Sequence, residues 1–596
     1  MSPKNAELPH QNSLLAHEDL TSSALNGIVE RGKLLERHKV VNDSVWERIW
    51  LTELETRVID VEEFQRLRWV LQLGTAMYVY PTATHTRFEH SLGTLEAAER
   101  IVRGCNDNRD RYDSILIEAY AHLLVRLAAL VHDYAQMPHG HAFQDEGHLF
   151  EVEWRCRPVA DRLLGPDGTV ARKILEVLKD RFRSRNVASD PHRVTQQIVE
   201  DLRWILSNGG TDGGAKVDPP EGREYLTYCA DIVGNTLCAD LIDYLLRDFE
   251  EIGFGHMRKP RILEFFVVRR IDGQAHSVLT LWKPGKEEVM RRDVVSEAVE
   301  LLRLRYKLAA ETYFHHGKMA AAAMIIRAAD LRGLSAGEIW EHGDHSLLRK
   351  LAHSDESPKK FADVKDATSC KLAEALANRQ LYKLVYELSH KEGATPVDPS
   401  EQAKDSYAKS PDAPKNQREL EETLCKLLGL SREAVIVYCP DPDMNLKLFE
   451  ALTWPAKSRE PTKLEDSRVS GEDGGQLKEK HRALWRLAVF ASREAKASHG
   501  TLIKKTCRAL LESGTRPDLD DLADFWWKAH EGEVSTQIPD LASAEATEGK
   551  QIVRSRMESK FRTSAGAGSG GVLARQEYIP EAKEVIDELL SRRSRS

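Results

Sequence analysis

LAALVHDYAQMPHGHAF, residues 127–143, decides how this chain is read. It begins apolar, reaches His132-Asp133, and then sets His139 and His141 into the following turn. Imidazole is costly to bury without a partner, so such a run marks either a metal site or the polar end of a buried helix. Just upstream, DSILIEAYAHLLVRLAALVHD repeats apolar residues at three- and four-residue spacing with no proline. That predicts a helix that buries one side and ends at the pair. Adjacent helical residues lie about 100° apart, so His132 and Asp133 can both reach one ion near the helix end. Imidazole with carboxylate suits Fe, Mn, Mg, Zn or Ni.

Further ligands must come from elsewhere in the chain. His90 in TRFEHSLG and Asp240 in CADLIDYLLRD are the candidates. In the second string Asp240, Asp243, Tyr244, Arg247 and Asp248 share one stripe, and Leu241, Ile242, Leu245 and Leu246 lie away from it. Taken alone, the stripe suits a solvated face with an Asp243–Arg247 pair better than a ligand face. A lone His90 is more often a hydrogen-bonded core or surface histidine than a ligand. The order His90, His132-Asp133, Asp240, with helical context at each member, favours the ligand reading.

The chain has 596 residues, too many for a single core, so two or more lobes are expected. With 41% hydrophobic and 30% charged residues it has an ordinary globular composition. A net charge of −9 argues against a nucleic-acid binder that relies on a global positive field. The eight cysteines form no CxxC pair, which suggests free thiols in a reducing compartment and no cysteine-based zinc site. No apolar run reaches the roughly 18 residues of a membrane span, and the first residues lack a signal-peptide core. A cytoplasmic protein without a membrane partner is expected.

The expected fold is mainly α: a helical core with a small mixed α/β C-terminal lobe. Residues 1–38 read as an N-terminal extension, 39–331 as the core, 332–455 as a C-terminal lobe, and 456–596 as a helical extension with flexible linkers. Helix is expected through most of 39–205, with a break at 208–222. RILEFFVVRR and HSVLTLW read as a strand pair, and EAVIVYCP as a strand. Residues 392–417, 456–480 and 563–571 read as linkers or exposed loop, and 481–530 as helix. No chemistry is legible beyond 456.

Three strings together carry a resemblance. VIDVEEFQRLRWVLQLGTAMYVYPTATHTRFEHSLG, ALVHDYAQMPHGHAF and DLIDYLLRD resemble the HD-domain metallohydrolases and, within them, the deoxynucleoside triphosphate triphosphohydrolases. The likeness runs from about Lys39 to about Pro440, and no SAM domain is expected ahead of it. It implies cleavage of dNTPs to deoxynucleoside and triphosphate, with a divalent metal (Mg, Mn, Fe or Zn) on His90, His132, Asp133 and Asp240. His141 matches the general acid. Arg87 and Arg305 match phosphate-binding arginines, and Tyr244 matches a phosphate- and sugar-contacting tyrosine. Leu73 and Tyr313 match the wall that excludes a 2′-hydroxyl, and Gln72 and Asp248 match the partners of the 3′-hydroxyl. Lys39, Val40, Asn42, Asp60, Gln65, Arg68, Arg261, Phe265, Arg379 and Lys383 match an allosteric site for GTP or a dNTP, which implies a dimer or tetramer.

The chain departs from the family where relatives read HD-x-G-H. Ala135 and Gln136 replace the Gly and His, and Leu241 stands where a lysine is usual. His139 is the candidate to compensate for Gln136, and His148 for a further downstream histidine. These losses leave two rivals: a catalytically weak nucleotide sensor, and an HD phosphodiesterase or nuclease acting on an oligonucleotide. A role in antiviral dNTP depletion rests on family analogy alone.

Overall fold

The computed structural model describes residues 20–150, 157–208, 217–284, 289–353, 364–390, 398–442, 451–457, 460–464, 466, 473–512, 519–564 and 582–594. Helix α1 (Ser22–Gly32) leads into an antiparallel hairpin, β1 (Arg37–Asp43) and β2 (Glu47–Thr52). The hairpin corrects the expectation of helix from 39 onward. Its second strand alternates: Ile49 and Leu51 are buried while Arg48 and Trp50 are exposed. That is the period of a half-buried strand. The turn is set by Asp43, whose Oδ1 accepts from the backbone N of Val45 at 2.9 Å and of Trp46 at 2.8 Å.

Four helices then enclose the site: α2 (Arg87–Asp107), α3 (Ala119–Val131), α4 (Tyr225–Gly234) and α5 (Ala239–Glu251). The start of α2 is marked by Glu89, whose carboxylate accepts from the Thr86 N–H at 3.1 Å. Nearly all of α3 is buried, from Leu123 to Val131 without interruption. It is therefore the central helix, and its sequence is apolar on every side rather than on one.

Beyond α5 the expected strand pair forms as β3 (Phe266–Ile271) and β4 (Gln274–Thr280), joined through Asp272 and Gly273, both at positive φ. Helices α6 (Arg292–Leu308) and α7 (His316–Arg332) follow, linked by a π-turn over Ala309–Tyr313. After a short antiparallel pair, Trp282–Lys283 with Val289–Met290, further strands are β5 (Lys383–Ser389), β6 (Val435–Tyr438), β7 (Leu452–Trp454), β8 (Thr462–Lys463) and β9 (Arg486–Ala491). They make a four-stranded sheet in the order β8-β7-β4-β3 and a three-stranded sheet in the order β5-β9-β6.

The mainly-α architecture with small strand-containing lobes is as expected, but further segments besides the hairpin differ. Residues 486–491 were expected in a helical block; RLAVFA is instead the central strand of a sheet, buried from Leu487 to Ala491. A short continuous apolar run fits a buried helix or a buried strand equally well. The linker expected at 392–417 contains the helix Pro399–Lys404 and the start of Ala413–Leu427, with Ala403, Tyr407 and Ala408 buried. Its residues 392–397 lie outside the described residues. The linker expected at 456–480 contains β8 and the helix Asp473–Arg482. Most of 563–571 and most of the break at 208–222 also lie outside the described residues.

One core runs from Leu25 in α1 through α2, α3, α4, α5 and α7. A second gathers Leu424, Val435, Trp485, Trp526, Trp527, Val553 and Val585. It joins β6 and β9 to the helices Leu519–Gln537, Ser543–Ser564 and Ala582–Arg593. Among the described residues no helix is long and apolar enough to cross a membrane.

Candidate metal centre

His90 sits in the first turn of α2, His132 and Asp133 directly follow α3, and Asp240 lies in the first turn of α5. The packing of α2 against α3 and α5 brings these helix ends to one point. His90 Nε2 lies 3.2 Å from His132 Nε2, 3.1 Å from Asp240 Oδ1 and 3.6 Å from Asp133 Oδ2. His132 Nε2 lies 3.7 Å from each carboxylate. His90, His132 and Asp133 form a group able to hold a metal ion. Asp240, the most exposed of the four, closes the cluster on its open side.

The outer atoms of the two rings decide the fit. His90 Nδ1 is 2.8 Å from Asp243 Oδ2, and His132 Nδ1 is 2.8 Å from the Ala129 carbonyl oxygen. Both partners are acceptors, so each Nδ1 carries the proton and each Nε2 turns its lone pair inward. Two imidazole lone pairs and two carboxylates facing one another at these distances require a cation between them. The donor set suits a divalent ion that tolerates nitrogen and oxygen together. Without a metal, protons take that place. Burial opposes charge on His90, but its bonds to Asp240 and Asp243 outweigh burial and raise it to about 10. Burial likewise opposes the His132 cation and is outweighed by Asp133 and Asp240. Asp240 is held well below the carboxylate range by the two histidines, against burial.

A supporting shell stands behind the ligands. Arg87, the first residue of α2, donates to Asp133 at 2.5 Å. Asp243 accepts from Trp46 Nε1 at 2.6 Å and from Arg247 Nη2 at 2.9 Å. Arg247 in turn reaches Asp43 Oδ2 at 3.0 Å, which ties the hairpin turn to the centre. A Cβ on Gly93 would lie 1.8 Å from Asp243 Oδ1, so only glycine lets α2 and α5 approach this closely. Asp243, Arg247 and Asp248 are buried, so the stripe on α5 faces the interior rather than solvent. Sequence reasoning missed Trp46, Asp43 and Gly93. The glycine one turn after His90 was the available signal.

A second cluster adjoins the centre. Asp248 Oδ1 lies 2.7 Å from His85 Nε2, and Asp248 Oδ2 accepts from the Tyr313 hydroxyl at 3.4 Å. Burial raises the Tyr244 hydroxyl, with Arg305 opposing and Asp240 and Asp248 adding. Arg305 is buried, and its Nε and Nη1 have no partner among the described residues. Leu73 is buried, and Gln72 Oε1 is buried without a partner among the described residues. The next residue, Gly74, adopts φ 49, and a Cβ there would meet the His139 carbonyl oxygen at 2.5 Å.

The three histidines after the pair go to separate places. His141 is exposed, and its Nδ1 pairs with Asp145 at 2.6 Å. His139 is buried at φ 62 and pairs with Asp344 at 3.4 Å; burial keeps it below the usual imidazole range. His148 Nε2 lies 3.2 Å from the Cys439 carbonyl oxygen, just past β6. Neither His139 nor His148 belongs to the metal-capable group.

Of the expected allosteric residues, Gln65 and Arg68 are joined at 2.8 Å, and Arg68 lies over the Phe88 ring. Asp60 is exposed at the end of the helix Glu53–Ile59. Lys39, Val40 and Asn42 lie on β1. Arg261 stands over Phe265, near the β3 start; Arg379 donates to the Tyr78 carbonyl at 3.0 Å; Lys383 opens β5. Gln136 and Leu241, the two departures from the family pattern, are both buried.

Residues 87–247 match the HD domain family. That stretch is an HD domain. Its relatives include an uncharacterised protein of Methanocaldococcus jannaschii, 29% identical over 293 residues, or 49% of each chain. The deoxynucleoside triphosphate triphosphohydrolase SAMHD1 of Bos taurus is 41% identical over 250 residues, 40% of each chain. A homologue of that enzyme in Dictyostelium discoideum is 26% identical over 368 residues, covering 59% of this chain and 60% of its own. The HD-domain chain thus spans about half the length of the curated relatives it matches.

Proposed function

We propose that this HD-domain protein is a metal-dependent phosphohydrolase that cleaves dNTPs into deoxynucleoside and inorganic triphosphate. The observation that carries the proposal is the meeting of two His Nε2 atoms with two carboxylates, together with a buried arginine, Arg305, whose Nε and Nη1 have no partner among the described residues. A divalent ion held by His90, His132, Asp133 and Asp240 supplies Lewis-acid chemistry. The residues do the rest. Arg87 fixes the Asp133 carboxylate. Arg305 meets phosphate oxygen, which offsets the large cost of its burial unpaired. His141, oriented by Asp145, delivers a proton to the departing 5′-oxygen. Leu73 and Tyr313 leave no room for a 2′-hydroxyl, while Gln72 and Asp248 receive the 3′-hydroxyl.

The regulatory reading belongs to the same proposal. A GTP or dNTP activator would bind among Lys39, Val40, Asn42, Asp60, Gln65 and Arg68, and join protomers through Arg261, Phe265, Arg379 and Lys383. A second reading, a nucleotide sensor with little turnover, is favoured by Gln136 and Leu241, which bring no cation to positions that carry one in the resembled family. Incubating the protein with each dNTP, singly and mixed, with Mg²⁺ or Mn²⁺ and with or without GTP, decides between them. Deoxynucleoside plus triphosphate is the expected product. Nucleotide bound but intact under every condition would establish the sensor, and cleavage of an oligonucleotide would establish a nuclease.

A further inference from the structure

His85 is one of the most thoroughly enclosed polar groups in the molecule, and the proposed chemistry does not use it. Its ring and the Asp248 carboxylate are each 1% exposed and lie 2.7 Å apart. Its backbone is engaged as well. The His85 carbonyl accepts from the Gln72 N–H at 3.0 Å, a bridge joins Leu71 to Thr86, and the Arg87 N–H reaches the Val70 carbonyl at 2.9 Å. The segments 70–72 and 85–87 are therefore laced together, with His85 opposite Gln72. One residue holds Gln72 through its main chain and Asp248 through its side chain.

Two atoms around this joint point to a missing ligand. His85 Nδ1 and Gln72 Oε1 are both buried, and neither has a partner among the described residues. A buried polar atom left unpaired costs free energy, so each of the two calls for something to bond it. Asp248 Oδ2 faces the Tyr313 hydroxyl at 3.4 Å, a long contact that leaves capacity for a second donor. The atoms with capacity to spare include the acceptors Asp248 Oδ2 and Gln72 Oε1. They suit an uncharged hydroxyl group rather than a phosphate.

We infer that His85 is the positioning residue that sets selection for a sugar 3′-hydroxyl, by holding Asp248 and Gln72 on either side of it. The inference rests on the dNTP reading above. His85 Nε2–H donates to Asp248 Oδ1 and fixes the carboxylate plane, so that Oδ2 accepts from the hydroxyl. A carboxylate free to rotate would instead be satisfied by water and would discriminate little.

The test compares dGTP with 2′,3′-dideoxy-GTP, and dATP with its dideoxy counterpart, for binding by calorimetry and for kcat/KM. Sites built to bond a hydroxyl reject the analogue lacking it strongly, so the native protein should prefer the 3′-hydroxyl by about tenfold or more. In His85→Leu that preference should collapse to within about twofold. His85→Gln, whose amide Nε2 can still donate to Asp248, should restore most of it. Mn²⁺ affinity, measured in parallel, should be unchanged in both variants. A His85→Leu protein that melts lower yet keeps the full preference would reduce His85 to a structural staple and overturn the inference. So would a native protein that binds dideoxynucleotides as tightly as dNTPs. Should His85→Leu fail to fold, the His85→Gln and native ratios still decide. Failure of the native protein to bind any dNTP would instead sink the dNTP reading, and this one with it.

Discussion

His90 shows how much a single ring must satisfy. Its Nε2 faces the other ligands while its Nδ1 is claimed by Asp243, which Arg247 and Trp46 also hold. His132→Ala should abolish tight Mn²⁺ binding and all hydrolysis. His141→Ala should keep the metal and lose about a hundredfold or more in kcat, the usual worth of a general acid. Equilibrium dialysis with Mn²⁺ beside steady-state kinetics separates the two, and normal turnover in both variants would refute the site. Gly93→Ala should cost about 1–3 kcal/mol by thermal melting, because the new methyl overlaps the Asp243 carboxylate. The stripe on α5 was legible in the sequence, since helical period alone groups Asp240, Asp243 and Arg247. Its partner was not legible, because periodicity names a face and never what lies opposite. His139 and His148 show the converse. Nearness in sequence to His132-Asp133 suggested a shared site, but backbone at positive φ turns them toward Asp344 and Cys439.

At the scale of elements, the β1–β2 hairpin braces the centre. Asp43 terminates β1 and grips Arg247, and both side chains are almost fully buried. Asp43→Ala would leave Arg247 paired with Asp243 alone and its Nη1 without its acceptor, at a cost of roughly 1–3 kcal/mol. It should also weaken Mn²⁺ binding, because Arg247, freed from the hairpin, would hold Asp243 behind His90 less firmly. An unchanged metal affinity in a folded Asp43→Ala protein would disprove the brace. Helices α2 and α3 are tied elsewhere by Arg126, which donates to Glu55 and, at 2.7 Å, to Glu99. Burial would raise Glu99, but His122 and Arg126 outweigh it and hold the carboxyl far below its ordinary range. A carboxylate depressed on folding contributes stability that is fully present above its unfolded pKa, about 4.3, and is lost as pH falls toward the folded value. The melting temperature should therefore drop steeply below that pH, and Glu99→Gln should make the drop shallower while lowering stability at pH 7. The hairpin was hidden from a sequence reading that favoured helix, although Arg48, Ile49, Trp50 and Leu51 alternate cleanly. β9 was hidden because RLAVFA alternates with nothing.

For the molecule as a whole, the HD domain and its helix ends were recoverable from sequence. The arrangement beyond residue 440 was not, because strands that pair across a hundred residues leave no local mark. The C-terminal region is part of the second core, where Trp526, Trp527 and Val585 pack with Val435 and Trp485. A chain truncated after residue 456 loses β9 and should expose the flanks of β5 and β6. Aggregation or dye binding by that fragment is the expected outcome, and a soluble, cooperatively melting fragment would contradict it.

The order β5-β9-β6 also constrains how the protein is made. The middle strand is the last to be synthesised, so until residue 491 has left the ribosome the two outer strands have no neighbour between them. At about 5–20 residues per second, a nascent chain leaves β6 unpaired for several seconds. Unpaired strands of that kind invite pairing with other chains. The helical HD domain can close long before this sheet does, so the vulnerable interval in the life of the chain belongs to its newest part. Expression yield should accordingly respond more to chaperone supply than the melting temperature of the finished protein would suggest.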